Sequence, residues 1–502
     1  MKQIYRIVCP FLFFTLPLIF NNALYAQVDR PLVHFTPSKN WTNDPNGLVY
    51  ANGEYHIFYQ YNPFGINWGH MSWGHAVSFD LAHWKHLPVA IPEDTVMIFS
   101  GSCVVDKDNT SGFFTKNGEQ NIVAIYTGHQ EKKQAQYLAF STDSGHTFTK
   151  YNANPVLDLY KKDFRDPKVF WHNPSSQWVM LVTLPTEYKV LFFGSKNLTQ
   201  WKQLGEFGNQ GNTESIWECP DLFELPIPNQ PSRTKWILVV SGANPQKGFV
   251  GMQYFVGEFD GKTFTNDHPP SQVLWMDYGK DYYAAISFNN IPEKDGRKIM
   301  IGWMNNWAYA DKIPATTWRG TMAFPRELSL KKTDFGFRII QQPVNEIKNL
   351  RKEEIMIFKS DIGKIQSNMS AGWFSSDVYE IDIILDMGSA SDAGISILSG
   401  KSEETLVGYN KISKQMYVDR RSSGRTDFAS NFGSIDKAPL EDKKGIVNLH
   451  ILVDKNLIEV FGNEGISTIS SIVFPVEKKH NVHFYQQGGK AKIVSYKRWR
   501  LE

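Results

Sequence analysis

Two carboxylates in this sequence directly precede a proline, in Asn43-Asp44-Pro45 and Arg165-Asp166-Pro167, and a third stands two residues before one, in Trp217-Glu218-Cys219-Pro220. A proline fixes its own φ and pushes the residue before it toward extended backbone. Each acid thus sits on a stiffened stretch, and each precedes a strand-like run, at residues 55–60, 178–182 and 236–240. Taken singly, such an acid reads as a turn residue that caps its own loop. Taken together, the three read as acids at equivalent positions of repeated units, meeting in one site. Carboxyls gathered in one pocket do not ionise independently, because burial and like charge raise the pKa of at least one. One carboxylate placed to attack and one carboxylic acid placed to protonate a leaving oxygen are what glycoside hydrolysis needs.

The nearby residues suit a carbohydrate. Trp41, Trp68, Trp73 and Trp217 offer flat apolar faces, whereas Asn43, Gln60, Ser100 and Arg165 offer directional hydrogen bonds. Trp84 and Trp201 are assigned to packing. Other chemistries lack their residues: there is no His-Glu-x-x-His, no P-loop and no nucleophile elbow. His83 and His86 read as part of a solvated turn. No cofactor and no metal ion are called for.

The elements that must position these groups recur. Apolar strand candidates centred on Ile57, Ala124, Met180, Leu238 and Met300 follow one another at intervals of about 56–67 residues. After each of the first four comes a second short strand, a polar turn and an aromatic residue, ending at Trp84, Phe148, Trp201 and Phe264. Near-regular short strands with turn signals predict a propeller, here of five blades. The first strand of each blade would line the central channel, so the three acids would converge at one mouth of it. Asn46-Gly47 predicts a turn directly after Asp44.

Residues 344–357 read as a connecting helix, with the domain boundary between Gln342 and Lys359. Beyond it, residues 379–385, 393–399, 445–453 and 457–461 read as strands, with Val447, Leu449, Ile451 and Val453 on one face and a turn at Asp454-Lys455-Asn456. That pattern predicts an antiparallel β-sandwich. The fold class is therefore all-β, a propeller over residues 27–345 and a sandwich over residues 346–502.

Lys2 and Arg6 precede an apolar run broken by Pro10 and Pro17, and a small-residue region ends at Ala26. This order reads as a signal peptide over residues 1–26, too short and too proline-rich for a membrane span. Cleavage there would take the formal charge from +2 to neutral. Nothing in the charge pattern marks a nucleic-acid partner. Cys103 and Cys219 would be the cysteines left, and the sequence leaves their pairing open.

The stretch at residues 40–47, Gln60-Tyr61-Asn62-Pro63, Phe99-Ser100-Gly101-Ser102, residues 164–167 and residues 217–220 together resemble glycoside hydrolase family 32, the group of invertases, inulinases and levanases. The resemblance implies a propeller followed by a sandwich. It implies Asp44 as nucleophile, Glu218 as general acid/base and Asp166 as the acid that holds fructose hydroxyls. It also implies a pocket of Asn43, Gln60, Trp68, Phe99, Ser100 and Arg165 for a terminal fructosyl unit. Thr42 stands where the family's first motif usually has Met. The segments Gly302-Trp303-Met304-Asn305-Asn306-Trp307 and Trp318-Arg319-Gly320 look more like levanases and exo-inulinases than plant invertases, and add Trp303 and Trp318 to the substrate-binding set. The implied activity is retaining, mainly exo-acting hydrolysis of fructans such as levan and inulin, with sucrose as a further substrate, and the signal peptide implies export. An endo-levanase and a non-catalytic fructan-binding protein are the alternatives. Oligomeric state and linkage preference are not legible.

Overall fold

The computed structural model describes residues 29–244, 249–365, 376–478 and 480–502. The expected signal peptide, residues 1–26, lies outside them. Five sheets with an antiparallel four-stranded core follow one another along the chain and form a five-bladed propeller; the short strand Trp318–Arg319, which interrupts the fifth, joins the edge of the first. Their innermost strands are Asn40–Ala51, Met97–Val105, Arg165–His172, Ile216–Ile227 and Tyr283–Ser287. The five apolar runs read from the sequence are each the second strand of a blade: Glu54–Asn62, Ile122–Gln130, Gln177–Leu184, Gln230–Asn244 and Lys298–Trp303. Flanked on both sides, they bury their central residues completely, as at Ile57, Ala124, Met180, Leu238 and Met300.

The repeated polar turns join the third and fourth strands of the first four blades, and one side-chain device shapes them all. A short carboxylate or amide oxygen accepts backbone N–H groups two to four residues on. Asp80 takes Ala82 and His83, Asp143 takes Thr147, Asn197 takes Thr199 and Gln200, and Asp260 takes Lys262 and Thr263. Trp84 and Trp201, which follow, are packing residues as expected: Trp84 stands edge-on to Phe35, and the Trp201 indole N–H donates to the Leu198 carbonyl.

Two local expectations fail. Asn46-Gly47 forms no turn, since Asn40–Ala51 is one continuous strand. The hairpin falls at Asn52-Gly53, where both residues have positive φ (50° and 91°), the requirement of a tight two-residue connection. Residues 344–357 form no helix. A 3-10 segment, Asn345–Leu350, leads into an edge strand, Arg351–Asp361. There Ile355 and Ile357 pack against the sandwich core between exposed neighbours, a period of two rather than 3.6.

The sandwich pairs a six-stranded sheet with a five-stranded one. Val447, Leu449, Ile451 and Val453 are fully buried along Ile446–Asp454 and meet Ile395, Val407 and Val418 of the facing sheet in one core. Asp454 ends that strand rather than entering the turn. Its carboxylate accepts the backbone N–H groups of Leu32, Val33 and His34, which holds the chain's entry to the first blade. Between the domains, buried Arg326 donates to Glu459 (3.0 Å) and Asp277 (3.0 Å), and His34 bridges Asp454 and Glu459 at 2.9 Å each.

Candidate active site

Every innermost strand carries one extra residue at the same height. Pairing with the second strand jumps between Thr42 and Pro45, Ile98 and Gly101, Arg165 and Lys168, Glu218 and Asp221, and Tyr283 and Ile286. In each case three steps on the inner strand match two on its neighbour. A β-bulge of this kind leaves residues unpaired and re-aims their side chains. Three bulges hold a non-glycine residue at positive φ: Asp166 (66°), Cys219 (45°) and Ala284 (53°). Such backbone is sparsely populated and persists where the surroundings fix it.

The bulges correct the idea of equivalent positions. Counted from the last paired residue, Glu218 stands at the first step, Asp166 at the second and Asp44 at the third. The acids meet because each strand offers a different step of the same irregularity. The prolines are the sequence trace of this. A proline cannot donate to a ladder and is tolerated inside a sheet at edges and bulges: Pro167 and Pro220 are themselves unpaired in their bulges, and Pro45 directly follows the unpaired Asn43 and Asp44.

Asp44 accepts from Asn43 Nδ2 (2.8 Å) and from Ser100 Oγ (2.6 Å), which itself lies in the second bulge. Asn43 is held in turn by the Trp41 indole N–H at 2.8 Å. Asp166 accepts the backbone N–H of Cys219 at 2.9 Å, and its own N–H donates to Thr127 Oγ1 at 2.9 Å. The Cys219 thiol lies between the two aspartates, 3.5 Å from Asp44 and 3.6 Å from Asp166. Glu218 is gripped from both sides. Arg165 donates to one oxygen through Nε (3.0 Å) and Nη2 (2.7 Å), and the Tyr283 hydroxyl donates to the other at 2.5 Å. Gln60 reaches across to the Ile98 carbonyl at 2.9 Å, and Thr42 bonds the Gln60 carbonyl at 2.9 Å.

Burial raises the pKa of Asp44, against the hydrogen bonds from Ser100 and Asn43. Asp166 is pushed up to about 7, first by burial and then by the charges of Glu218 and Asp44, with Arg165 opposing. The site can therefore keep a proton among its carboxyls near neutral pH, which suits acid–base chemistry. Among the described residues no group of three or more His, Cys, Asp or Glu is disposed to hold a metal ion.

The aromatic expectations divide. Trp68 is exposed (46%) and stands edge-on to Phe99, which stacks on His129 at 4.3 Å. Trp41, Trp73 and Trp217 were expected to present faces but are buried. Their rings fill the blades, and the Trp73 and Trp217 N–H groups go to the carbonyls of Phe99 and Asn212. Trp303 is also fully buried, 4.8 Å from Trp307 and 6.2 Å from Trp41, so it backs the site rather than facing it. Trp318 is half-buried under the Arg30 guanidinium. It lies on a short strand, Trp318–Arg319, that pairs in parallel with Asn40 and Trp41. Cys103 and Cys219 are both buried and free, so no disulfide joins them.

Sequence reasoning missed Tyr283, Thr127 and His129. Nothing in their local sequence marks them; only their height in the ring does. Tyr283 is the last paired residue before the fifth bulge, the step that Glu218 occupies on the fourth blade.

The family model for the glycosyl hydrolases family 32 N-terminal domain matches residues 34–343, and that for the family's C-terminal domain matches residues 346–500. A levanase of Bacillus subtilis is 46% identical over 95% of this chain and 71% of its own length. An extracellular exo-inulinase of Aspergillus ficuum is 40% identical over 94% of both chains. The crystal structure of the exo-inulinase from Aspergillus awamori superposes with a TM-score of 0.87 at 36% identity, covering 95% of this chain and 99% of its own. With both domain models and these relatives matched along nearly its whole described length, the chain belongs to glycosyl hydrolase family 32.

Proposed function

We propose that this protein is a retaining β-fructosidase that removes terminal fructose from a fructan such as levan or inulin. The observation that carries the reading is the meeting of Asp44, Asp166 and Glu218 on three bulged inner strands, with Arg165 and Tyr283 holding Glu218. The similarity to a levanase and to exo-inulinases supports the substrate class.

In this reading Asp44 attacks the anomeric carbon while Glu218 protonates the departing oxygen. A fructosyl ester forms on Asp44. Glu218, now a base, takes a proton from water, which attacks the ester and frees Asp44. Asp166 and Arg165 hold hydroxyls of the bound fructose, as do Asn43 and Gln60. Trp68 and Phe99 supply apolar walls. Polar groups enclosing a chain end pair with its hydroxyls, and an internal unit would leave some of them unpaired at about 1–3 kcal/mol each. That argument favours exo-action. Residues that could open or extend the groove lie from Asn244 to Phe249 and from Trp303 to Trp318; of these, residues 245–248 lie outside the described ones.

Export belongs to the same proposal. It rests on the basic, apolar and small-residue order of residues 1–26 and on the extracellular exo-inulinases among the relatives. Among the described residues no helix is long and apolar enough to cross a membrane.

Thin-layer chromatography of levan and inulin digests at low conversion tests the reading. Free fructose is expected as the chief early product. A ladder of oligosaccharides ahead of fructose would mean an open cleft and internal cutting. No released sugar from either polymer would overturn the catalytic reading.

A further inference from the structure

The innermost strands have two ends, and the acids occupy one of them. At the other end, Tyr50, Val105 and Trp171 close Asn40–Ala51, Met97–Val105 and Arg165–His172 around a second mouth of the channel. The two mouths are separated by a polar plug. Lys168 Nζ lies 3.1 Å from Asp221 and donates to the Ser287 carbonyl at 2.6 Å, all three residues being buried. Asn289 Nδ2 donates to the carbonyls of Cys103 (2.8 Å) and Val169 (3.0 Å). The lower mouth is thus a separate dish of about 940 Å³, within the usual range of small-molecule sites.

Its rim carries an exposed tryptophan. Trp41, Trp73, Trp217 and Trp303 are all closed from solvent, yet Trp171 at the rim is 39% exposed. The ring is braced: Trp178 stands edge-on to it at 5.1 Å, and the Trp178 indole N–H is fixed by Thr110 Oγ1 at 2.8 Å. Around this plane lie Asn173, Asn290, Glu119 and the half-buried Lys298. The Lys298 ammonium makes no hydrogen bond or ion pair among the described residues and stands over the Phe223 ring at 5.5 Å. Burial and then the nearby Lys168 push its ammonium down to about 8, with Asp221 and Glu224 opposing, and it remains a hydrogen-bond donor. Both signs of charge line the dish, with Asp106, Asp108, Glu119 and Glu293 beside Lys107 and Lys298. A phosphate would meet the glutamates and a cation would meet the lysines. A neutral polyhydroxyl chain meets donors, acceptors and a flat apolar plane.

We propose that this lower mouth is a second carbohydrate-binding site, which holds a distant segment of the fructan whose end is cut on the opposite face. The choice of fructan rests on the function proposed above; the site itself rests on the dish and its braced tryptophan. Such a site anchors a long chain and leaves a short one unaffected.

Native gel electrophoresis of the full chain through soluble levan tests it, with Glu218→Gln included to stop digestion. Adding Trp171→Ala should weaken retardation by ~3–10-fold in apparent dissociation constant, the range of one aromatic contact. Trp171→Phe, which keeps a plane and guards against a folding artefact, should retain most of it. In the otherwise wild-type chain, Trp171→Ala should leave turnover of a disaccharide or trisaccharide fructoside unchanged. Equal retardation with and without Trp171, or no retardation of any form, overturns the second site. Levan hydrolysis by the wild type is scored separately. Retardation that depends on Trp171 without hydrolysis would keep the second site and sink the catalytic reading, and hydrolysis with retardation indifferent to Trp171 would do the reverse.

Discussion

The sandwich strand Ile446–Asp454 pairs with both its neighbours without a register shift, whereas each of the five inner propeller strands shifts register at the channel mouth. In the sandwich, alternate residues sink into one apolar core and the backbone stays regular. In the propeller, backbone at positive φ aims Asp166 and Cys219 at the channel mouth, where burial raises the pKa of Asp44 and Asp166. One region spends its sequence on packing and the other on placing charge where charge is costly. The teaching is that stability and chemistry are separable here, and substitutions should divide accordingly.

The largest effects belong to the acids. Asp44→Asn should lower turnover on levan by ~10⁴-fold or more, the scale seen when a nucleophile is removed. Glu218→Gln should lose ~10²–10⁴, the usual share of general acid catalysis, and much less on a fructoside with a good leaving group. Melting curves should show both proteins folded. Equal losses for Glu218→Gln on both substrates would remove its role as acid.

Ile451→Ala should do the opposite. It should cost about 2–5 kcal/mol in denaturant unfolding of the sandwich, as buried large-to-small changes do, with unchanged kcat for the folded fraction. A large fall in kcat without loss of stability would break the separation.

Asp166→Asn should join the two effects with opposite signs. The folded carboxyl titrates at about 7 rather than 3.8, so its contribution to stability is present at acid pH and is lost as pH rises from about 4 through about 7. The amide removes that loss. The variant should therefore be more stable than wild type by about 1–4 kcal/mol at pH 8 and no more stable at pH 4, while turnover falls. A variant destabilised at pH 8 would show that Asp166 is held by its hydrogen bonds more than it is burdened by burial.

A smaller effect should appear at the join between the domains. His34, bridging Asp454 and Glu459, has its pKa raised from 6.5 to about 9. Its stabilisation is full below about 6.5 and is lost as pH rises through about 9, an amount of about 1–3 kcal/mol. A melting series from pH 6 to pH 10 should show this fall in the wild type and not in His34→Gln.

The same contrast governs what could be read beforehand. The sandwich strands and the second strands of the blades were legible because alternation and apolar runs are local signals. The helix expected at residues 344–357 failed because a polar edge strand has a weak apolar stripe of either period. The acids were found through their prolines, but their shared height was misjudged, because a bulge shifts register by one residue and leaves no mark beyond the proline itself. Trp41, Trp73, Trp217 and Trp303 look from the sequence like sugar platforms, and only the packed blades show that their faces are covered. Tyr283 carries no motif and becomes visible only once the fifth strand closes the ring against Glu218.

The central claim, that bulged strands bring Asp44 and Glu218 together as a retaining pair, is tested most directly by trapping the intermediate. Levan digestion in buffer containing methanol should yield methyl fructofuranoside, whose anomeric centre does not interconvert and is assigned by NMR. A product of the β configuration alone is the predicted result, because the alcohol attacks the fructosyl ester from the face the leaving group vacated. Methyl α-fructofuranoside as the product would mean direct displacement by the acceptor, and would contradict the assignment of Asp44 as nucleophile.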